Sequence, residues 1–309
     1  MDNVLYLVAF LLDLIFKDLE IWPHPVRFIG KFLDKLEVVF RNQDKIPLRI
    51  AGIFAVIFSC TLVGFIVFSL ISLPVLGIFF TIYFAYAGLS LGGLIDKGRE
   101  VLNLCKENNI DMAREKLSFL VSRETSKMDE REILKSLAET LSENINDGFF
   151  APFFYLLLGG PVLLWIYKTI STMDSMWGYK NKKWRELGWA GAKMDDIFGY
   201  IPARLSFCSI FLFYFIKTRD FKFYEKLKLA IADAKKMESP NSGWPMAACG
   251  RIFDCEMGGK FIYFGKIKTK PKIGGKRDWK ITDIEKLLDF LLWCGVFSCA
   301  LLLSLKVIL

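Results

Sequence analysis

The sequence contains a single histidine, His24, and only seven cysteines among its 309 residues. One histidine argues against a Ser-His-Asp triad and cannot supply a histidine-rich metal site. The cysteines contain no CxxC pair, which excludes a disulfide scaffold, and we expect them to serve as small hydrophobic residues. A GxxxxGK[ST] motif is also missing, so the chain has no P-loop for a nucleotide.

Low hydrophobicity, the mark of a disordered chain, is missing as well. The chain is 53% hydrophobic and its mean hydropathy is +0.35. Much of this apolar content lies in long runs with few charges, which argues against an ordinary soluble enzyme. A helix needs about 20 apolar residues to cross a bilayer core. Five segments approach that length and are predicted transmembrane candidates: 50–73, 75–95, 149–167, 197–216 and 287–305.

A proline lies between two of these candidates, and a third contains residues that break a helix. Pro74 separates the first two segments, which predicts a tight transmembrane hairpin. Gly159, Gly160 and Pro161 lie in the middle of 149–167, and such residues remove a backbone donor and weaken a helix. We therefore predict an all-α polytopic integral membrane protein, with four or five transmembrane helices and re-entrant or broken segments.

The rest of the chain forms polar regions within one predicted membrane-embedded domain over residues 1–309. We expect 96–148 to be amphipathic helices, 171–196 to be a mixed aromatic and charged loop, and 221–236 to be a charged helix. Segment 4–16 is too short to span a membrane unaided, and its composition is not that of a signal peptide. The polar regions are 17–49, 96–148, 171–196 and 217–286.

The net charge of +8 is unevenly placed. Region 217–286 holds 17 Lys and Arg against 9 Asp and Glu, so it carries the whole excess. Its segment 260–280 is basic with interleaved aromatic residues, a composition also found in nucleic-acid-binding segments. Its glycines and proline, and its place between spans, favour a loop over an anionic ligand or lipid. We therefore expect membrane lipid, and no nucleic acid, as a partner.

A helix predicted at 128–146 carries a row of acids. Ser126 followed by Asp129 predicts the capping box that starts it. Like charges four residues apart destabilise a helix by about 0.2–0.5 kcal/mol each. The row is therefore either a solvated face or a site for a compensating cation such as Mg²⁺ with substrate phosphates, and this helix alone favours neither. The acids are Glu132, Glu139, Glu143 and Asp147, and the predicted apolar face is Ile133, Leu134, Leu137, Leu141 and Ile145.

Arg204 lies inside the otherwise apolar segment 197–216. A charge at that depth costs about 2.5–3.5 kcal/mol on insertion scales unless it is paired or solvated. It either reaches the interface or pairs with an acid or a phosphate, and we favour the pairing. Other charged residues near the apolar spans are Asp174, Asp195, Asp196, Arg123 and Lys180.

Several motifs occur in a fixed order between about residue 11 and residue 286, and together they resemble the CobD/CbiB family. That family comprises the membrane-bound adenosylcobinamide-phosphate synthases of cobalamin biosynthesis. The motifs are Pro23-His24-Pro25, Arg123-Glu124-Thr125-Ser126, the stretch 139–148, Asp174-Ser175-Met176, Asp195-Asp196, Ile201-Pro202-Ala203-Arg204, the stretch 239–245 and Gly258-Gly259.

The resemblance implies a ligase that forms an amide bond. It would join the propionate carboxylate of adenosylcobyric acid to (R)-1-aminopropan-2-ol phosphate, or to aminopropanol, and give adenosylcobinamide phosphate. ATP would be the co-substrate, Mg²⁺ would be required, and the corrinoid would be a substrate rather than a cofactor. The expected location is the prokaryotic cell (inner) membrane, with the active site facing the cytoplasm. A homo-oligomer or other membrane-bound corrinoid enzymes are the further partners expected.

On this hypothesis the acids and cations have separate roles. Glu139, Glu143 and Asp147 would be catalytic and hold Mg²⁺, with Asp174 as a fourth metal ligand. Asp195 or Asp196 would accept the proton of the amine. The predicted substrate and phosphate contacts are Arg123, Asn144, Lys180, Arg204, Asn241 and Trp244.

Two other classes of protein compete with this interpretation. A transporter would use intramembrane charges such as Arg204, but most acids of this chain lie in polar regions. A signalling protein of the same superfamily would have lost the acidic motifs, which are present here. Counting 149–167 and 197–216 as full crossings would place 171–196 across the membrane from the other motifs, so we expect both to be re-entrant or partial.

Overall fold

The computed structural model describes residues 2–17, 24–42, 45–263 and 265–308. It is 74% helical, and these residues contain one small two-stranded sheet, which confirms the predicted fold class. The helices are α1 (Asp2–Phe16), α2 (Pro25–Arg41), α3 (Leu48–Ile71), α4 (Leu76–Gly88), α5 (Leu91–Lys106), α6 (Ile110–Ser118), α7 (Glu130–Ile145), α8 (Ala151–Trp177), α9 (Trp189–Phe198), α10 (Tyr200–Thr218), α11 (Phe223–Ala234), α12 (Gly243–Ile252) and α13 (Ile281–Ile308).

Among the described residues, five helical segments are long and apolar enough to cross a membrane by length and composition. Each contains one of the five predicted candidates or most of it. Their bounds are Leu48–Ile71, Leu76–Lys106, Glu130–Trp177, Tyr200–Thr218 and Ile281–Lys306.

The chain divides into two compact units. Unit 1 comprises Met1–Ser90 and Ala151–Tyr200, and unit 2 comprises Leu91–Phe150 and Ile201–Leu309. The assignment of residues 1–309 to one domain stays a prediction.

In unit 1, α3 and α4 form the predicted hairpin, joined by a short turn that contains Pro74. Both helices pack on α8, and α8 also packs on α2 and α9. Gly88 permits the close approach of α4, because a Cβ at that position would lie 2.2 Å from Cδ2 of Leu164.

Helix α8 is broken where the sequence predicted. Gly159 and Gly160 leave helical geometry, and Gly160 has a φ of +65°, a conformation that glycine adopts without strain. Pro161 follows directly and has no backbone N–H, so it cannot donate a hydrogen bond to the preceding turn. The broken segment continues as helix to Trp177, however, and α9 covers Trp189–Phe198.

The prediction of a loop over 171–196 is therefore wrong for most of its length. Thr172, Met173 and Trp177 continue the buried side of α8, so apolar packing extends the helix through a stretch that reads as mixed in composition. Only residues 178–188 connect α8 to α9.

In unit 2, α7 is the acid-bearing helix predicted at 128–146, but its capping box differs from the prediction. Asp129, not Ser126, caps the helix: Asp129 Oδ1 accepts from Glu132 N at 2.8 Å. Glu132 Oε2 accepts in return from Asp129 N at 3.1 Å. The predicted apolar face is confirmed, because all five of its residues are at most 2% exposed.

The basic region 217–286 holds more regular structure than predicted. The expected charged helix is present as α11, and α12 packs on it and on α7. The stretch predicted as a loop instead forms an antiparallel hairpin of β1 (Glu256–Tyr263) and β2 (Lys266–Gly274). Exposed lysines and adjacent glycines hide the alternation of buried and exposed positions that identifies a strand.

Candidate functional site

A buried ion pair joins Arg123 to Glu139 in unit 2. Arg123 Nη2 lies 2.9 Å from Glu139 Oε2, and the two side chains are 5% and 0% exposed. This contact is an ion pair without hydrogen-bond geometry. Arg123 Nη1 also donates to Ser136 Oγ at 3.1 Å, and the guanidinium carbon lies 4.0 Å from the ring centroid of Phe261. The site therefore holds a desolvated charge pair against an aromatic ring.

The other oxygen of Glu139 is held by the hairpin. Gly258 N donates to Glu139 Oε1 at 2.6 Å. Gly258 lies at an irregularity in the pairing of β1 with β2, has a φ of +83°, and leaves no room for a Cβ, which would approach Pro271 O to 2.0 Å. Glycine is therefore required to deliver this N–H, and both carboxylate oxygens of Glu139 are engaged.

Beyond Glu139, α7 changes its winding. The α-helix ends at Ile145 and continues as a π-helical turn over Asn146–Phe150. Such turns are rare and occur often at functional sites. This change rotates Asp147 away from the position that a regular α-helix predicts relative to Glu143.

The predicted side chains at this turn are engaged to different degrees. Within the described residues, the half-buried carboxylate of Glu143 has no hydrogen bond or ion pair. Asp147 is also half-buried and accepts from Asn146 Nδ2 at 2.8 Å. Asn144 donates to Thr140 O and Oγ1, so its amide nitrogen is bound to its own helix. Glu143 is the carboxylate most available to a ligand.

Mg²⁺ was predicted at Glu139, Glu143, Asp147 and Asp174. In the part of the chain that the structure describes, no group of three or more His, Cys, Asp and Glu residues could hold a metal ion. The described acids therefore do not form an all-protein cage. They do suit Mg²⁺ that arrives with phosphates, since that ion is usually bound through one or two carboxylates. Glu139 could join such a set only if Arg123 released it.

A second cluster in unit 2 joins the predicted residues Arg204, Asn241 and Trp244. Arg204 Nη1 donates to Asn241 Oδ1 at 3.0 Å, and its guanidinium carbon lies 4.7 Å from the Trp244 ring centroid. Trp244 meets Phe207 edge-on at 5.1 Å, and its Nε1 donates to Pro240 O at 3.0 Å. The motif at 239–245 therefore gives Arg204 an amide and an aromatic face.

The remaining predicted residues lie in unit 1. Asp174 is in the last turn of α8, and Asp195 and Asp196 are on α9. Asp174 is close enough to Asp196 for their charges to interact, and Asp196 Oδ2 lies 3.5 Å from Lys193 Nζ. Lys180 is exposed in the connection between the helices. The structure thus brings two of the predicted acids together.

Asp233 was missed by the sequence analysis. It is 1% exposed on α11, and its Oδ2 accepts from Arg251 Nε at 2.7 Å and from Gly274 N at 2.9 Å. Lys236 Nζ donates to its other oxygen at 2.6 Å. The sequence offered one signal: Asp233 lies close to the small apolar residues Ala230 and Ala234, which are buried in the structure. An acid on a buried helix face is expected to have partners.

The chain matches the family model described as CobD/Cbib protein over residues 6–291. It is 35% identical to "Cobalamin biosynthesis protein CobD" of Clostridium perfringens, with 98% of each chain covered. It is 34% identical to the protein of that name from Leptospira interrogans, over 95% of this chain and 97% of the relative. It is 32% identical to "Cobalamin biosynthesis protein CbiB" of Salmonella arizonae, over 99% and 98% respectively. No solved structure matches it.

Proposed function

We propose a function from the premise that the chain belongs to the CobD/CbiB family: it acts in cobalamin biosynthesis as adenosylcobinamide-phosphate synthase. The observation that supports this most is its similarity, along nearly its whole length, to relatives named for cobalamin biosynthesis. The reaction would join a propionate carboxylate of adenosylcobyric acid to (R)-1-aminopropan-2-ol phosphate, and the enzyme would be a multi-pass protein of the prokaryotic cell membrane.

The chemistry needs activation of the carboxylate, because a carboxylate does not acylate an amine at neutral pH. In our proposal, a carboxylate oxygen attacks the γ-phosphorus of ATP, and the bond to ADP breaks. The amine then attacks the acyl phosphate carbonyl, inorganic phosphate leaves, and the amine loses a proton. Asp195 or Asp196 would accept that proton.

Phosphoryl transfer depends mainly on positioning and on the neutralisation of charge. Arg204 and Lys180 would contact phosphate oxygens, while Asn241 and Trp244 would orient a substrate through the amide and the indole. Glu143 and Asp147 would hold Mg²⁺ carried by ATP, and that ion would neutralise charge on the phosphates. The carboxylate of Glu143, which has no partner among the described residues, supports this assignment.

The test is amide formation by the purified protein in lipid nanodiscs. Adenosylcobyric acid and the amine phosphate should give the amide only with ATP and Mg²⁺, and ATP consumption should require the corrinoid acid. Glu143→Gln should lower kcat about 100-fold or more, the scale of one electrostatic group in a transition state. Glu130→Gln, an exposed acid at the start of the same helix, is the matched control and should keep wild-type turnover.

Two results would contradict the proposal. If ATP consumption did not depend on the corrinoid acid, a transport or signalling role would be favoured instead. If both Glu143→Gln and Asp147→Asn kept wild-type turnover, the metal assignment would fail even though the reaction stood.

A further inference from the structure

The end of α10 carries an aromatic and basic surface that contains none of the residues proposed above for the reaction. Helix α10 is long and apolar enough to span a membrane and ends at Thr218. We call residues 217–224, which lie within unit 2, the α10 turn. Its Phe221 and Tyr224 are 82% and 66% exposed. Such aromatic side chains at the end of a spanning helix are typical of the belt at a membrane–water interface.

The α10 turn folds back against the helix that precedes it. Arg219 has a φ of +51°, a left-handed conformation that ends the helix, and its N–H donates to Phe215 O at 2.8 Å. The rings of Phe221 and Phe223 then lie 5.9 and 4.8 Å from the ring of Phe215, centroid to centroid. Since Phe215 belongs to the last turn of α10, these rings stand beside the spanning helix rather than beyond it.

Helix α10 also presents apolar side chains close to this turn. Leu212 and Ile216 are exposed and lie four residues apart, so they share one face of the helix. Apolar side chains that a spanning helix leaves exposed face lipid chains, which are as apolar as leucine itself. The rings of the α10 turn therefore continue a lipid-facing helix to its end.

The cations of the α10 turn are available to an anionic group. Arg219 and Lys222 are exposed, and within the described ranges their charged groups form no hydrogen bond or ion pair. Lys217 is exposed as well, and its ammonium group lies 5.9 and 6.0 Å from the ring centroids of Phe213 and Phe290. Cationic donors beside lipid-facing rings are suited to the phosphate oxygens of a headgroup.

The one acid of the α10 turn, Asp220, is already engaged in holding the turn together. Its Oδ1 accepts from Lys222 N at 2.9 Å, and its Oδ2 accepts from Tyr214 Oη at 2.7 Å. Tyr214 Oη in turn accepts from Lys226 Nζ at 2.9 Å. Because both carboxylate oxygens of Asp220 have partners, the side chains of Arg219 and Lys222 are left to face outward.

From this arrangement we propose that the α10 turn binds the headgroup of an anionic phospholipid. Arg219 and Lys222 bind the headgroup, and the rings of Phe221 and Tyr224 lie among the upper parts of the acyl chains. Arginine and lysine near a membrane surface are attracted to anionic lipid, whereas a zwitterionic lipid carries no net charge. The interaction holds the end of α10 at the membrane surface and does not depend on the proposed reaction.

Native mass spectrometry of the intact chain tests this inference. Wild-type protein released from nanodiscs of equimolar phosphatidylcholine and phosphatidylglycerol should retain phosphatidylglycerol in preference. Arg219→Gln and Lys222→Gln should each lower the ratio of retained phosphatidylglycerol to phosphatidylcholine about fivefold, and the double variant about 25-fold, the scale of the attraction of one and two cations to an anionic surface. Phe221→Ser should instead reduce the retention of both lipids without changing their ratio.

The double variant Lys266→Gln/Lys276→Gln is the matched control. It removes the same charge from exposed lysines of the basic region that lie outside the α10 turn, and it should keep the wild-type lipid ratio. The inference is overturned if the wild type retains both lipids equally, or if Arg219→Gln/Lys222→Gln keeps the wild-type ratio. It is also overturned if the control loses the preference as fully as the variant of the turn, since net charge alone would then explain lipid retention.

Discussion

At the scale of single residues, the ion pair of Arg123 with Glu139 is fully removed from water, at 5% and 0% exposure. Both charges have left water, and the desolvation penalty of such a pair can match its Coulombic attraction. Its net contribution to stability can therefore be small. Removing one partner is different, because the other charge then remains buried without compensation.

We predict that Arg123→Met and Glu139→Gln each lower the free energy of unfolding by about 3–5 kcal/mol. Glutamine keeps an acceptor for Gly258 N, and methionine keeps an apolar stem against Phe261, so the loss should come from the unpaired charge. The measurement is denaturant or thermal unfolding of the purified variants in detergent.

The double variant Arg123→Met/Glu139→Gln provides the control. It should be more stable than the sum of the single losses predicts, since no buried charge remains. If the loss in the double variant equalled the sum of the two single losses, Arg123 and Glu139 would not interact energetically, in conflict with their 2.9 Å contact.

At the scale of elements, Asp233 joins α11 to α12 and to β2. Its carboxylate contacts Arg251 on α12 and the backbone of Gly274 at the end of β2. Burial by itself raises the pKa of Asp233, but the hydrogen bonds from Lys236, Gly274 N–H and Arg251 outweigh burial and hold the pKa below its ordinary value.

This lowered pKa predicts a pH dependence of stability. The contribution of Asp233 is complete above the unfolded pKa of about 3.9 and is lost as the pH falls through the lower folded value. Asp233→Asn should lower the free energy of unfolding by about 1–3 kcal/mol near neutral pH and flatten its acid dependence. Unfolding followed from pH 7 to pH 3 checks this.

Asp254→Asn is the comparison for Asp233→Asn, because Asp254 is exposed in the same region and its contact with Arg277 is long, at 3.8 Å. It should leave both the stability and its acid slope near wild type. An equal loss in both variants would mean that overall charge, and not the buried carboxylate, sets the acid stability.

The elements were predictable where one strong signal dominated. Long apolar runs identified the spanning helices, and Gly159-Gly160-Pro161 identified the break in α8. The hairpin was missed because lysines occupy its exposed positions and Gly258 interrupts its pairing. The π turn was not predictable, because one extra residue per turn depends on packing around 146–150 and not on local composition.

The candidate site was predictable only in part, because its contacts join residues that are far apart in the sequence. The residue types were identified, and Arg204 was expected to pair with an acid or a phosphate. In the structure Arg204 donates to the amide of Asn241, 37 positions away, and Glu139 accepts from Gly258 N, 119 positions away. Such pairings are set by tertiary packing, which the order of motifs along a chain does not specify.

At the scale of the whole molecule, the proposed reaction restricts which side of the membrane each polar region can face. If one reaction uses residues from 96–148, 171–196 and 217–286, these regions must face the same aqueous side. We predict that cysteines placed at the exposed positions 111, 180 and 238 react with an impermeant maleimide from the cytoplasmic side.

The experiment uses inside-out and right-side-out vesicles and a background in which the exposed Cys208 and the half-buried Cys60 are replaced. The other five cysteines are buried and should stay silent. Labelling of position 180 from the side opposite to 238 would contradict a single site that uses both regions.

The basic hairpin also bears on how the protein avoids self-association. A two-stranded sheet has open edges, and an open edge can pair with a strand of another molecule. In β2, lysines stand at positions 266, 268, 270 and 272, and Pro271 has no N–H to donate. A second strand approaching that edge would meet repulsion and a missing donor, so the same lysines that make this region basic protect the protein against edge-to-edge aggregation.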